Sequence, residues 1–300
     1  MMKALAELAM RGRLQAAFFA FLGAALPMFS WFAAAIVTLV TLRRGSRDGA
    51  LILLAALTAA FVVGERVEVI TVSAVLVAYI SANVLRMTVN LSYSLLSAVF
   101  ASALFLTGLI TQSEGLLDSL KQVLEAQLGQ LDLGEAAGID GQDFVHLLSV
   151  QTISYGIGFT AITGLLVGRW WQAMLYNPGG FQKEFHALRL SPAITIVLFL
   201  LSIVGLGGAE LLGVAESDVF AGNTNVNMIN VAAIASIMTV PLLITGAAIV
   251  HSIVKTKHAS KHWLVGFYIT LPITNTMVYL MVVMDGFIDI RNRVSKPSDT

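Results

Sequence analysis

The feature that most constrains the fold of this chain is a succession of long apolar runs, with most of the charge confined between them. The runs cover residues 14–26, 28–42, 49–64, 67–85, 91–110, 150–168, 192–214, 226–254 and 263–284. Only 12% of the 300 residues are charged, whereas a soluble domain carries about 25%. Because membrane-spanning chains confine charge to the connections, the pattern predicts an all-α, polytopic transmembrane helical bundle of about eight to nine spans.

Proline positions decide how two of these runs are divided. Residues 14–42 would form a helix of about 43 Å, longer than the ~30 Å hydrocarbon core, and Pro27 lies in its middle. We therefore expect two short helices that form a hairpin at Pro27. Residues 226–254 are equally long and contain Pro241, but the polar residues at both ends predict one kinked or tilted helix.

Basic residues alternate between the two sides of the predicted bundle. Cytoplasmic connections carry an excess of Lys and Arg. Basic groups precede the first run and follow the second, fourth, sixth and eighth: Lys3, Arg11 and Arg13; Arg43, Arg44 and Arg47; Arg86; Arg169, Lys183 and Arg189; Lys255, Lys257 and Lys261. The alternation requires the hairpin at Pro27, and it predicts a multi-pass protein of the bacterial inner membrane, with the lipid bilayer as its first partner.

The sequence allows the C-terminus on either side of the membrane. A ninth full span would place Arg291, Arg293 and Lys296 outside the cytoplasm, against the distribution of basic residues elsewhere. A break at Pro272 would instead turn the last run into a hairpin and return the tail to the cytoplasm.

The chain is predicted to form a single integral membrane domain over residues 1–300. It comprises N-terminal helices at 1–110, a polar segment at 111–149, C-terminal helices at 150–290 and a polar tail at 291–300. The segment 111–149 is acidic and repeats leucine at helical spacing, so we expect an amphipathic helix on the periplasmic side, followed by a loop at Gly134, Gly138 and Gly141. The helix would lie on the outer face of the bundle, or close over a binding site as a lid.

Three stretches and the opening proline-broken pair carry a family resemblance. The stretches are RWWQAMLYNPGGFQKEFHALRL at 169–190, HSIVKTKHASKHW at 251–263 and MDGFIDIRNR at 284–293, and Arg43, Arg44 and Gly45 follow the opening pair. Together they resemble the YybS-like family of bacterial integral membrane proteins, which is distantly similar to the S components of energy-coupling-factor transporters. This resemblance implies capture of a small molecule from the outer side and docking on an energising transmembrane subunit with ATPases.

Polar residues within or at the ends of the runs are the candidates for substrate binding, because polar groups in lipid tend to face an interior or a cavity. Asn223, Asn227 and Asn230 share one helix face, and Glu210 lies one turn inside the outer end of its run. The predicted set is Glu210, Asn223, Asn227, Asn230, Gln151, Tyr155 and Asn275. Capping and interhelical hydrogen bonds would explain the asparagines equally, Glu210 would also reach the interface, and Asn275 would also satisfy a kink at Pro272.

Two further stretches are candidate interfaces with other proteins. Ala16, Ala20 and Ala24 form a small-residue stripe that resembles the docking motif of S components, and the same stripe would serve internal helix packing. The second stretch comprises Arg169, Trp170, Trp171, Asn177, Pro178, Gly179 and Gly180. It would contact a cytoplasmic partner, or form an interfacial segment beneath the bilayer.

The sequence predicts neither an enzyme nor a cofactor. It contains no HExxH, Gly-x-Ser-x-Gly, GxxxxGK[ST] or dinucleotide motif and no cysteine. His251, His258 and His262 lie among lysines without a carboxylate, so no metal site is predicted. Zero net charge does not favour nucleic acid binding. The predicted function is substrate binding for a transporter, with a membrane scaffold or accessory subunit as the alternative.

The charge pattern generates a topology prediction. The chain has no cysteine, so Ser119→Cys and Gln182→Cys each introduce one thiol. We expect the thiol at 119 to react with an impermeant maleimide in intact spheroplasts and the thiol at 182 to react only after lysis, because basic connections stay in the cytoplasm. Labelling in the opposite order would overturn the predicted topology.

Overall fold

Every regular element in the described part of the chain is a helix. The computed structural model describes residues 2–26, 28–62, 69–112, 122–124, 126, 141–203 and 234–295. The helices are α1 (Met2–Met10), α2 (Arg13–Ala25), α3 (Ser30–Arg44), α4 (Ser46–Val62), α5 (Val69–Thr88), α6 (Leu91–Gln112), α7 (Gly141–Tyr176), α8 (Gly180–His186), α9 (Pro192–Ile203), α10 (Val240–Thr256), α11 (His262–Ile288) and α12 (Ile290–Ser295).

The all-helical class predicted from the sequence is confirmed for these residues, and so is the presence of helices suited to a membrane. Four helical stretches are long and apolar enough to cross a bilayer: Val69–Thr88, Leu91–Leu109, Ile234–Thr256 and His262–Ile288. The stretch Ile234–Thr256 contains a turn at Thr239, beside Pro241, which occupies the first turn of α10, where its missing N–H is not needed.

The hairpin predicted at Pro27 is present as two separate helices that pack against each other. α2 ends at Ala25, and α3 begins at Ser30. Leu26 has extended backbone angles (φ −93°, ψ 129°), as expected for a residue that precedes proline. The 29-residue apolar stretch is therefore divided where the sequence predicts.

The alanine stripe of α2 is covered by this chain, which corrects the expectation that it faces a separate subunit. Ala16 and Ala20 are fully buried, and Ala24 is 3% exposed. α2 packs against α3 and α4, and the stripe shares one apolar cluster with Ile52 and Ala56 of α4. Alanine side chains let these backbones approach closely, so the spacing serves packing within the bundle.

Glycines of α7 let it reach α3. A Cβ atom added at Gly164 would lie 2.4 Å from the Cβ of Ala34, and one added at Gly168 would lie 2.6 Å from the Cβ of Thr38. Both distances are shorter than side-chain carbon atoms tolerate. The backbones of α3 and α7 therefore pack closely at Gly164 and Gly168. This contact ties the N-terminal helices to the middle of the chain.

α7 begins earlier than the sequence suggested. It extends over 36 residues from Gly141 to Tyr176, so the predicted boundary between residues 149 and 150 lies inside a helix, and Gly141 starts a helix where a loop was expected. Helices tolerate glycine in the first turn, where backbone N–H groups have no helical partner. The predicted amphipathic helix lies almost wholly outside the described residues.

α11 is unbroken at Pro272, so the hairpin considered for the last apolar run does not form. It is nevertheless linked to α8 and the connection after it, through His251 at one place and through Arg291 at another. Tyr268 donates to or accepts from His251 at 2.9 Å, and the His251 ring contacts that of Phe185. Just beyond the C-terminal end of α11, Arg291 donates to the carbonyl oxygens of His186 and Leu188. The tail therefore returns to the end of the bundle that holds the 169–190 segment.

Burial of the alanine stripe predicts the effect of enlarging it. Ala20→Leu should lower the free energy of unfolding by about 1–3 kcal/mol, because the added atoms have no space against α3 and α4. Unfolding of the detergent-purified protein, followed by circular dichroism, measures this loss. Ala4→Leu, at an exposed position of α1, is the matched control and should change stability little. Equal stability of the two variants would contradict the packed arrangement.

Candidate functional site

A cavity of about 260 Å³ lies between α7, α10 and α11, at the position of Pro272. Its lining residues are Tyr155, Phe159, Leu243, Leu271, Pro272, Asn275 and Tyr279. Ligand pockets typically enclose about 300–1,000 Å³, so this cavity, just below that range, is large enough only for a small molecule. Tyr155 and Asn275, which were selected from the sequence for different reasons, thus line the same cavity.

Threonine hydroxyls bond to the helix backbone around Pro272. Proline has no N–H, so the carbonyl four residues earlier loses its helical donor. Thr270 donates its hydroxyl to the carbonyls of Gly266 and Phe267 at 3.0 and 3.2 Å, and Thr274 donates to the carbonyl of Thr270 at 3.0 Å. None of these acceptors is the carbonyl of Tyr268, which is the one that loses its donor. The Asn275 side chain accepts a hydrogen bond from the Thr276 hydroxyl at 3.2 Å and lines the cavity.

The polar groups of the cavity are uncharged. Tyr155 and Tyr279 contribute hydroxyls and Asn275 contributes an amide, so donors and acceptors are both present. Phe159, whose ring lies 5.8 Å from that of Tyr155, adds an aromatic wall. Among the described residues that line the cavity, none carries a charge. This lining suits a neutral, largely apolar ligand with one or two hydrogen-bonding groups.

The remaining predicted substrate residues are not all placed. Gln151 lies one helical turn before Tyr155 on α7, outside the set that lines the cavity. Glu210, Asn223, Asn227 and Asn230 lie outside the described residues. Of the seven candidates, the structure brings Tyr155 and Asn275 together.

A buried ion pair at the end of α11 is a feature that the sequence analysis missed. Asp285 and Arg291 are 5% and 7% exposed. The Asp285 carboxylate accepts hydrogen bonds from Nη2 and Nε of Arg291 at 2.7 and 3.2 Å. The remaining donor of Arg291, Nη1, bonds to the carbonyls of His186 and Leu188 at 2.8 and 2.9 Å. One guanidinium therefore ties α11, the tail and the α8–α9 connection together.

A second, exposed ion pair lies beside the buried one. Arg189 donates to Asp289, and its Nε lies 4.0 Å from Oδ2 of Asp285. The hydrogen bond from Arg189 lowers the pKa of Asp289 and, in return, raises the pKa of Arg189. Since the pKa of the carboxyl is lowered in the folded protein, this pair stabilises the fold at neutral pH, and its contribution disappears as the pH falls through the lowered pKa.

The imidazole of His186, whose carbonyl Arg291 binds, is partly buried. Burial lowers the pKa of its imidazole, and the positive charges of Lys255 and Arg291 add to that effect. The ring lies 6.4 Å from that of His251. The histidines here belong to packing around the α8–α9 connection, and no cluster of three or more metal-binding side chains exists among the described residues.

Next to the ion pairs is a cavity of about 150 Å³, bounded by α9, α10 and α11. Thr245 lines it, and its buried hydroxyl has no hydrogen-bond partner in the described part of the chain.

The sequence contains one signal for the ion-pair site: Asp285 directly follows the apolar run 263–284, which contains no acidic residue. The connection to Arg291 was not visible, because Asp289 adopts a positive φ of 49° between them and turns the chain back.

The aromatic-basic segment divides into buried and exposed parts. Trp171 is fully buried and stacks edge-on against Phe32, while Arg169 forms an ion pair with Glu184. These two residues are structural. Trp170, Pro178 and Gly179 line an open cavity of about 300 Å³ at the turn between α7 and α8.

The turn itself depends on its glycines. Gly180 donates its N–H to the carbonyl of Asn177 at 2.9 Å, and Gly179 has a φ of 83°, which residues with a Cβ rarely adopt. The predicted turn at Asn177–Gly180 is therefore present.

Comparison of the chain with family models, with curated proteins and with solved structures finds no match. The resemblance to the YybS-like family and to S components therefore remains a resemblance of sequence stretches.

The buried ion pair generates a stability prediction. Asp285→Asn keeps the shape of the side chain and leaves the charge of Arg291 buried without a counter-ion. Breaking a buried pair in this way costs about 3–5 kcal/mol. Asp289→Asn, which removes the exposed partner of Arg189 and tolerates positive φ, is the matched control and should cost far less, because exposed ion pairs contribute little to stability. Thermal unfolding in detergent compares the two, and equal losses would show that burial of Asp285 is unimportant.

Proposed function

We propose that this protein binds a neutral, largely apolar small molecule inside its helical bundle, as the substrate-binding component of a transporter. The observation that carries the proposal is the meeting of Tyr155 and Asn275 in one cavity with Tyr279. The lining offers hydrogen bonds without charge, as in sites that recognise a mostly apolar molecule by a few polar groups. The resemblance to S components supports the same class of function.

We also propose that the chain lies in the bacterial inner membrane as a multi-pass protein, with an amphipathic helix on the periplasmic side. Eight to nine spans follow from the apolar runs: the unbroken α11 favours nine, and the hydrogen bonds from Arg291 to the carbonyls of His186 and Leu188 favour eight. In the eight-span arrangement Arg291 and Arg293 lie on the same side as Lys255 and Lys257, which agrees with the distribution of basic residues.

We also propose that any energy for transport comes from a partner, an energising transmembrane subunit with ATPases, and that the chain itself is not an enzyme. The absence of nucleotide-binding motifs in the sequence supports this division. Because the alanine stripe of α2 is occupied by α3 and α4, the partner has to use another surface. The open cavity at Trp170, Pro178 and Gly179 is the surface we propose.

A membrane scaffold is the second candidate function, and the same Trp170 cavity favours it. A scaffold would bind a protein there and would need no ligand at Pro272. Ligand binding by the purified protein distinguishes the two functions, because a scaffold gains no stability from small molecules.

The ligand site can be tested by thermal unfolding of the detergent-purified protein against a panel of neutral vitamins, nucleosides and small aromatic compounds. A ligand at 100 times its Kd adds about 2.7 kcal/mol to the free energy of unfolding. Tyr155→Phe removes one hydroxyl from the cavity and should weaken binding of the hit about three- to tenfold, as expected for one hydrogen bond.

Tyr93→Phe is the matched control, because Tyr93 is exposed on α6 and does not line the cavity. It should leave the affinity unchanged. If both variants bind the hit with equal affinity, the ligand occupies another place. If no compound raises the unfolding temperature, the substrate-binding function is contradicted and the scaffold is favoured.

A further inference from the structure

An apolar groove lies between α10 and α11, beside the loop that joins them. Its volume is about 910 Å³, and its lining residues are Val250, Ile253, Val254, Lys257, Ala259, Ser260, His262, Trp263, Gly266, Phe267 and Thr270. The walls are formed by branched aliphatic and aromatic side chains. Such a surface suits a hydrocarbon chain, and it is far larger than the Pro272 cavity.

The mouth of the groove is basic. Lys257 and His262 line it at the loop that joins the two helices, and no acidic residue occurs anywhere between residues 226 and 284. Ser260 Oγ lies 2.7 Å from Nδ1 of His262, which leaves the second ring nitrogen for another partner. Arg189 and Arg291 pair with carboxylates, whereas no ion pair joins Lys257 or His262 to an acidic side chain in the part of the chain that the structure describes.

The depth of the mouth is indicated by Trp263. This side chain is 71% exposed and lies directly after the basic loop. Exposed tryptophan is characteristic of the boundary between the headgroups and the hydrocarbon of a bilayer. We therefore expect the basic mouth to lie at headgroup level, with the apolar walls extending inward from it.

We propose that this groove binds one anionic phospholipid, with an acyl chain along α10 and α11 and the phosphate at Lys257 and His262. The apolar walls and the basic mouth match the two ends of such a molecule, and charge complementarity selects an anionic headgroup over a zwitterionic one. Basic pockets between helices at the cytoplasmic surface bind anionic lipids by this combination. A peptide or a free phosphate would match only one of the two parts.

Gly266 allows the groove to be closed without disturbing the helix. A Cβ atom added at Gly266 would meet nothing within 4 Å, so Gly266→Leu projects its side chain into open space in the groove. Leucine also favours helix more than glycine does. Loss of lipid from this variant can therefore not be attributed to unfolding. Gly108→Leu on α6 is the matched control, because Gly108 has the same open surroundings and does not line the groove.

The experiment is native mass spectrometry of the delipidated, detergent-purified protein, titrated with phosphatidylglycerol, phosphatidylcholine or inorganic phosphate. Wild type should bind one phosphatidylglycerol about fivefold more tightly than phosphatidylcholine. Gly266→Leu should lose both lipids, while Lys257→Gln should lose only the preference for phosphatidylglycerol. Gly108→Leu and Lys183→Gln, which changes an exposed lysine outside the groove, should behave as wild type.

Three results would overturn the proposal. Equal binding of the two lipids by wild type would remove the role of the basic mouth. Unchanged lipid binding by Gly266→Leu would show that the lipid lies elsewhere. Displacement of phosphatidylglycerol by inorganic phosphate would identify a phosphate site without a role for the apolar walls.

Discussion

Close approach of helix backbones to α3 is the constraint on which the N-terminal half depends. Every residue of α3 from position 33 to 42 is buried, and a helix that is apolar on all sides has to be enclosed. In lipid, helices gain little from apolar burial and associate through close packing. Small residues therefore face α3 from its neighbours: the alanine stripe of α2, and Gly164 and Gly168 of α7. Larger side chains there would separate α3 from the helices that cover it.

The C-terminal helices are held in a different way. In α11 only Val278, Tyr279, Val282 and Asp285 are buried among its 27 residues, so small-residue packing fixes little of it. Instead, Asp285 and Arg291 anchor its end to the α8–α9 connection. An ion pair in this setting gains its strength from low polarity and loses stability abruptly if one partner is neutralised. The Pro272 cavity thus lies between α7, which is firmly packed, and α11, which is held mainly at its end. A ligand would therefore displace α11 more easily than α7.

These two kinds of contact explain what could be predicted from the sequence. Helix breaks are local, so Pro27 located the first hairpin correctly. The polar residues Tyr155 and Asn275 could be chosen individually, because a polar group in an apolar run is costly wherever it points. The helices that cover such residues could not be predicted, because the spacing of Ala16, Ala20 and Ala24 is the same for an internal and an external partner. Pro272 did not break α11, and membrane helices tolerate proline where neighbouring helices support them. The pairing of Asp285 with Arg291 depended on the positive φ of Asp289, which no pattern of residue types specifies.

The proposed ligand and lipid sites share one helix, which links them energetically. Leu271, Pro272 and Asn275 face the cavity, whereas Gly266, Phe267 and Thr270 face the groove, so two adjacent turns of α11 line both sites. A molecule bound at either site restricts the same weakly packed helix, and the second molecule then meets a wall that is already ordered. The resulting coupling is necessarily reciprocal: whatever factor the lipid applies to ligand affinity, the ligand applies to lipid affinity. The anionic cytoplasmic leaflet would then set the affinity of the cavity in the membrane, and protein stripped of lipid would bind its ligand more weakly than protein in a native bilayer.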